Sequence, residues 1–265
     1  MAKIIRKGNQ LEEEYYAIEQ ERTEKNAQAR RLFAKITFVS IIVYGVAVVF
    51  GTLADMLSII FIPLTACFGF VLLIGLCIWS VVGVSGNKNT DILFSGIAGE
   101  RIATETLAAL PDDYVVFQDV VVTYEGKSNE IDNIVVGRSG VFIVEAKNHN
   151  GNITGDCKDK YWTQYKVGRG GTPYTKEMYN PTKQVGAHIY RLANYLRKNG
   201  VNTYITGMVY FTNEDCVVEI TGNSNVSVYS RFENEEELLC RQILTGSHNL
   251  DLRSINHICR LISQL

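Results

Sequence analysis

Two long apolar stretches stand near the start of the chain, separated by one charged residue. They run from Ile36 to Ala54 and from about Ile59 to Val84, with Asp55 between them. A transmembrane helix needs about 20 mostly apolar residues, so each stretch is long enough to cross a bilayer. The pattern therefore predicts a transmembrane helical hairpin over residues 36–85, with the lipid bilayer as a partner.

Basic residues flank this predicted hairpin at both ends. Arg30, Arg31 and Lys35 precede the first stretch and Lys88 follows the second. The positive-inside rule then predicts a multi-pass membrane protein with two spans, whose N terminus and C-terminal domain are both cytoplasmic. Residues 1–35 are predicted to form a charged cytoplasmic helix that leads into the first span.

After a predicted linker at residues 86–95, short apolar segments alternate with helical patterns up to residue 265. The predicted strands are 115–124, 131–136, 141–146, 161–167, 204–211 and, at a sheet edge, 226–229. The predicted helices are 97–110, 181–198, 233–244 and 250–262. This order predicts an α/β domain over residues 96–265, a mixed sheet flanked by helices.

Gly137-Arg138-Ser139-Gly140 separates two of these strands and predicts a hairpin. If the turn is centred between Arg138 and Ser139, Ile134 faces Ile143 and Asp132 faces Glu145. A three-residue loop would shift the register by one and turn Asp132 away from Glu145. Both strands are apolar on both faces near the turn, which is typical of strands buried on both sides.

Four charged side chains fall on one face of this predicted hairpin. Side chains alternate across a strand, so Glu130, Asp132, Glu145 and Lys147 share a face, and Glu130 faces Lys147. Opposed carboxylates repel each other unless a cation or a proton lies between them. The arrangement indicates a divalent metal site. The alternative is a solvated face with a cross-strand ion pair.

Composition restricts the possible partners. Residues 88–265 carry 18 basic and 21 acidic side chains, a net charge of −3, which argues against tight, sequence-independent binding of a duplex by this domain alone. Four basic residues still cluster after the hairpin, either to hold phosphates or as a solvated loop: Lys158, Lys160, Lys166 and Arg169. The six cysteines are isolated, which disfavours a zinc site or a disulfide framework.

A series of short motifs resembles the nuclease-related domain, NERD, of the PD-(D/E)XK nuclease superfamily. The order and the intervals of the motifs both fit over about residues 96–200. The matching segments are Gly96-Ile-Ala-Gly-Glu100, Glu130-Ile-Asp132-Asn-Ile-Val-Val-Gly137, Gly140-Val-Phe-Ile-Val-Glu145-Ala-Lys147-Asn148, Gly151-Asn-Ile153, Trp162 and Asn180-Pro-Thr-Lys-Gln184. The resemblance implies a restriction-endonuclease-like fold for this domain.

The resemblance also implies roles for particular residues. Asp132 and Glu145, with the backbone carbonyl of Ala146, would ligate Mg²⁺ or Mn²⁺, and Lys147 would orient or activate the attacking water. Glu100 matches the first acidic position of the superfamily; its other interpretation is an acidic residue stabilised by a helix N-terminus. Gln184 matches the helical Gln of the superfamily, or is an exposed helix residue. Trp162 is interpreted as a core residue rather than a stacking platform.

Two functions from different classes follow. The first is a membrane-anchored, metal-dependent nuclease that hydrolyses phosphodiester bonds of DNA, in preference to RNA, on the cytoplasmic side. The second is a catalytically silent domain of the same fold that binds nucleic acid or acts as a scaffold at the membrane. Intact Asp132, Glu145 and Lys147 favour the enzyme, whereas the acidic balance favours the silent domain.

Overall fold

The structure is a computed structural model that describes residues 1–8, 10–52, 67, 69, 74–75, 88–168 and 170–265. The helices are α1 (Gln10–Thr52), α2 (Lys88–Ala108), α3 (Pro181–Lys198), α4 (Glu236–Leu244) and α5 (Leu252–Ser263). The strands are β1 (Lys3–Arg6), β2 (Val115–Tyr124), β3 (Lys127–Gly137), β4 (Gly140–Lys147), β5 (Gly151–Asp156), β6 (Tyr161–Val167), β7 (Pro173–Tyr179), β8 (Ile205–Phe211), β9 (Cys216–Thr221) and β10 (Val226–Ser230).

The chain divides into two compact units. One comprises Met1–Glu12 and Phe94–Leu265, and the other comprises Glu13–Leu93. The first unit holds all ten strands, together with α3, α4 and α5. The second unit holds most of α1 and the first residues of α2. Every residue of the predicted catalytic site therefore belongs to the first unit.

A six-stranded mixed sheet forms the centre of the first unit, in the order β1-β2-β3-β4-β8-β10. The strands β2, β3 and β4 are antiparallel neighbours, whereas β1 pairs with β2, β8 with β4 and β10 with β8 in parallel. The predicted strand at residues 226–229 is β10, and it lies at the edge of this sheet as expected.

Helices cover both faces of the central sheet. Residues of α3 and α5 pack with Ile134 and Ile143 in one core, whereas residues of α2 and α4 pack with Val135 and Val144 in the other. Successive side chains of β3 and β4 thus enter different cores, because side chains alternate across a strand. The prediction of a mixed sheet flanked by helices, with the hairpin buried on both faces, is confirmed.

A second, four-stranded sheet has the order β7-β6-β5-β9. It begins directly after the end of β4, because only three residues separate Lys147 from Gly151, the first residue of β5. The strands β5, β6 and β7 are antiparallel neighbours, and β9 pairs with β5 in parallel. Only β6 of these four strands was predicted from the sequence.

The predicted membrane location is wrong, and the described residues do not support the predicted transmembrane hairpin. No helix among the described residues is both long enough and apolar enough to cross a membrane. The first predicted span, Ile36–Ala54, falls largely on α1, whose first part is rich in charged residues, and α1 is not apolar enough to be a span. The second predicted span lies outside the described residues apart from 67, 69 and 74–75. The lipid bilayer is accordingly unsupported as a partner.

Candidate active site

The hairpin of β3 and β4 has the predicted two-residue turn. Gly137 pairs with Gly140 and Ile134 pairs with Ile143, so the predicted register is confirmed. The last pair of this ladder is Asn133 with Val144, so Asp132 and Glu145 lie one position beyond it. The catalytic candidates therefore stand where the two strands stop pairing, rather than as a directly paired couple within the ladder.

The neighbouring ladder, between β2 and β3, is interrupted at the same level. Gln118 pairs with Asn133 and Val120 with Ile131, which skips Asp119 and Asp132. Asp119 has a φ of 53°, in the left-handed region that aspartate tolerates better than most residues. The sheet is thus locally irregular around Asp132. The Asp132 Oδ2 atom accepts a hydrogen bond from the backbone N–H of Ala146 at 2.8 Å, which links β3 to β4 at this level.

Glu145 is buried, and side chains from two elements surround its carboxylate. Its Oε1 atom accepts hydrogen bonds from Lys147 Nζ at 2.6 Å and from Gln184 Nε2 at 2.5 Å. Its Oε2 atom lies 3.3 Å from His188 Nε2 but has no well-formed hydrogen bond within the described structure. The structure therefore brings together Asp132, Glu145, Lys147 and Gln184 as predicted.

Electrostatic coupling within this group separates the two acids. Burial raises the pKa of Asp132 well above its usual range, and the negative charge of Glu145 raises it further. Burial also acts to raise the pKa of Glu145, but Lys147 and His188 together lower it below its ordinary value. Burial acts to lower the pKa of Lys147, whereas Glu145 and Asp132 raise it above the usual lysine value. Without a cation, the neutral form is therefore favoured at Asp132 and the ionised form at Glu145.

Glu100 lies on α2, in a second group of charged side chains close to the first. Its Oε2 atom is 4.0 Å from Arg6 Nη2, and Arg6 also donates a hydrogen bond to Asp119 at 3.0 Å. Burial, together with the charge of Asp119, raises the pKa of Glu100 to about 7. Glu130 belongs to this group, because burial and the charge of Asp119 raise its pKa. The ladder between β3 and β4 ends at Asn133 and Val144, so the expected pairing of Glu130 with Lys147 is wrong.

Replacing Glu100 with glutamine is expected to stabilise the metal-free chain at alkaline pH. The pKa of about 7 in the folded chain exceeds the ordinary value of 4.5, so folding takes up a proton between these values. Stability therefore falls as the pH rises from about 4.5 to 7, and the variant gains up to about 3 kcal/mol over the wild type at pH 8. Thermal unfolding in EDTA between about pH 4 and pH 8 measures this difference.

The matched control is Glu105→Gln, which changes an exposed acid on the same helix. It should follow the wild-type curve. If Glu100→Gln also follows that curve at every pH, Glu100 is ionised without cost in the folded chain.

His188 is the residue of this site that the sequence reasoning missed. It is buried on α3 and lies four residues after Gln184, which itself lies four residues after Asn180. Residues four apart share one face of a helix, so this regular spacing is the signal that could have revealed it. Trp162 is fully buried, and its Nε1 donates to the carbonyl of Asp156 at 2.9 Å, which confirms its interpretation as a core residue.

The donors of this site fit a hard divalent cation with few protein ligands. Among the residues that the structure describes, no three His, Cys, Asp or Glu side chains lie close enough to hold a metal ion. Asp132 and Glu145 nevertheless supply two carboxylates whose charges act on each other. Among the described residues, the buried Oε2 atom of Glu145 has no hydrogen-bond partner. Mg²⁺ commonly binds through one or two carboxylates and keeps several waters. The two carboxylates and the carbonyl of Ala146 are a donor set of this kind.

One of the comparisons with known proteins covers the residues of this site. A curated relative, the uncharacterized protein pXO1-01 of Bacillus anthracis, is 42% identical over 73 residues, which are 27% of this chain. The match spans about a third, 34%, of the length of that relative. No solved structure matches the chain significantly. The family described as nuclease-related domain, NERD, matches residues 95–212, so the resemblance seen in the sequence motifs is confirmed over this part of the chain.

Proposed function

We propose that this chain is a metal-dependent nuclease that hydrolyses phosphodiester bonds of DNA. The observation that carries the proposal is the position of Asp132 and Glu145 just beyond the last pair of the β3–β4 ladder, with the buried Glu145 carboxylate hydrogen-bonded to Lys147. Two neighbouring carboxylates repel each other when both are ionised, so a cation bound near them would lower the free energy of the doubly ionised state. The match of residues 95–212 to a nuclease-related domain supports a nucleic acid as substrate.

Asp132, Glu145 and the carbonyl of Ala146 would hold Mg²⁺ or Mn²⁺. When bound, such an ion lowers the pKa of a coordinated water and offsets the charge that develops on the phosphate. A bound cation would favour the ionised form of Asp132, because it would offset the effects of burial and of the Glu145 charge on this carboxyl group. Lys147, held at 2.6 Å from Glu145, places a compact positive charge where it can orient the attacking water or the phosphate.

Gln184 and His188 would act by positioning Glu145. Gln184 donates to Oε1 and His188 stands against Oε2, so both oxygens are approached from α3. A carboxylate fixed in this way keeps its orientation when a ligand binds, which is the role that surrounding residues play in most metal sites. Glu100 lies near enough to raise the pKa of Asp132 further, and would support the same cation from α2.

The full chain is expected to cleave DNA in Mg²⁺ or Mn²⁺ and to lose this activity when the metal is removed with EDTA. Labelled single-stranded and duplex oligonucleotides, resolved by gel electrophoresis after incubation, provide the measurement. Activity should return when Mg²⁺ is added in excess of EDTA, because the site binds the ion reversibly.

Metal titration by calorimetry separates this proposal from a silent domain that binds nucleic acid or acts as a scaffold. The net charge of −3 over residues 88–265 is the observation that favours the silent domain. Absence of Mn²⁺ binding to the wild-type chain, together with absence of cleavage, would contradict the nuclease. Mn²⁺ binding by the wild-type chain that is lost in Asp132→Asn would support the nuclease.

A further inference from the structure

A cleft of about 510 Å³ lies on the second sheet, along the ends of β5, β6 and β7. Its lining includes Gly151 and Asn152 from the start of β5, Tyr165 and Lys166 from β6, and Tyr174 from β7. Because β5 starts four residues after Lys147, the cleft is connected to the candidate active site by a very short segment of chain.

Two tyrosine rings flank this cleft and are accessible to solvent. Tyr165 is 48% exposed and Tyr174 is 49% exposed. Within the part of the chain that the structure describes, neither ring packs against another aromatic ring, in contrast to Tyr161 and Tyr179 on the same ribbon, whose ring centroids are 6.1 Å apart. Exposed aromatic rings beside a cleft are suited to stacking against planar groups such as nucleobases.

Positive charge joins the cleft to the active site. Burial, together with the charges of Lys147, Lys166 and Lys176, lowers the pKa of His149 to about 4, so all three lysines lie near enough to His149 to act on it. On the ribbon, Gln164 pairs with Lys176 and Lys166 pairs with Tyr174, which places both lysines and Tyr174 on one face and Tyr165 on the other. Neither Lys166 nor Lys176 takes part in an ion pair among the described residues. These unpaired charges are complementary to a phosphate backbone.

We propose that the cleft binds single-stranded DNA, with a base stacked on Tyr174 and phosphates held by Lys166 and Lys176 on the same face, and that it leads the strand to Lys147. This inference rests on the proposed function and specifies the form of its substrate. In a duplex the faces of the bases are stacked on each other, so no base face is free to contact a tyrosine ring. The net charge of −3 over residues 88–265 also disfavours binding of a duplex through its backbone alone.

Fluorescence anisotropy of labelled oligo(dT) of about 15 nucleotides, with the full chain in EDTA, tests the proposal without cleavage. Tyr174→Ala is expected to weaken binding about 5- to 100-fold, since loss of one stacked base has an effect of this size. Tyr174→Phe keeps the ring and should bind as the wild type does. The double variant Lys166→Ala/Lys176→Ala should reduce the slope of log K against log salt by about 1.4.

Two matched controls lie elsewhere on the surface: Tyr204→Ala removes a 53% exposed tyrosine, and Lys127→Ala removes an exposed lysine at the start of β3. Both should bind oligo(dT) normally. Equal binding by Tyr174→Ala and the wild type, or duplex bound as tightly as oligo(dT), overturns the proposed cleft. If the chain cleaves DNA in Mg²⁺ under either of those outcomes, the nuclease stands and only the cleft fails. Ring-dependent oligo(dT) binding by a chain that never cleaves supports the cleft and contradicts the nuclease.

Discussion

Replacing Asp132 with asparagine is expected to lower the rate of DNA cleavage by about a thousandfold or more, which corresponds to at least about 4 kcal/mol of transition-state stabilisation. Asparagine has the shape of the protonated acid, which is the form that burial and Glu145 favour in the metal-free chain. It can still accept the hydrogen bond from the Ala146 N–H. The variant should therefore fold normally but lack a charged ligand for Mg²⁺.

Steady-state cleavage of a labelled oligonucleotide in Mg²⁺ measures this loss, with circular dichroism and thermal unfolding as tests of the fold. The matched control is Asp112→Asn, an exposed aspartate outside the site, which should cleave at the wild-type rate. Glu145→Ala and Lys147→Ala should also abolish cleavage. Cleavage that persists unchanged in all three site variants would remove the proposed mechanism.

Replacing Asn180 with alanine is expected to lower the free energy of unfolding by about 3 kcal/mol, from loss of a helix cap and of several buried hydrogen bonds. Asn180 is fully buried and caps α3 by accepting hydrogen bonds from the backbone N–H and the hydroxyl of Thr182. Its Nδ2 donates to the carbonyls of Cys157 and Asp159, at 3.2 and 2.8 Å. Alanine would remove all of these hydrogen bonds and leave the buried N–H and hydroxyl of Thr182 without this acceptor.

Urea unfolding monitored by circular dichroism gives the measurement. Asn194→Ala is the matched control, because Asn194 lies on the same helix and donates one exposed hydrogen bond, to the carbonyl of Tyr190. Its unfolding free energy should change by less than about 0.5 kcal/mol. Similar values for both variants would show that the network around Asn180 contributes little. Since α3 carries Gln184 and His188, weakening its cap is also expected to loosen the carboxylate of Glu145.

The hairpin was predictable because its signal is local. Four turn residues fix the register between Ile134 and Ile143, and apolar residues on both faces indicate burial on both sides. The site was predictable to the extent that it lies on that hairpin. The break in the ladders at Asp132 was not predictable from the sequence. It depends on the left-handed backbone of Asp119, which lies in a different strand, and the sequence of β3 contains no sign of it.

The strands missed in the sequence show the same limit. β1 has only four residues and exists because it pairs in parallel with β2, more than a hundred residues later in the chain. β7 is largely exposed and polar, so apolar and polar residues alternate only weakly along it. It is recognised as a strand by its pairing with β6. Conversely, the apolar residues from Ile36 onward carry a strong local signal, but in the structure they continue a helix whose first part is charged.

Residues 1–8 lie outside the family match, yet through the pairing of β1 with β2 they belong to the sheet that carries the candidate site. Arg6 is the cation that neutralises Asp119, and this arginine lies far upstream of residue 95, where the match begins. A fragment cut to the borders of the matched region would leave β2 as an open edge and Asp119 with its negative charge uncompensated. The compact unit that carries the candidate active site is therefore discontinuous in sequence, and residues 1–8 are expected to be needed for that site to be assembled.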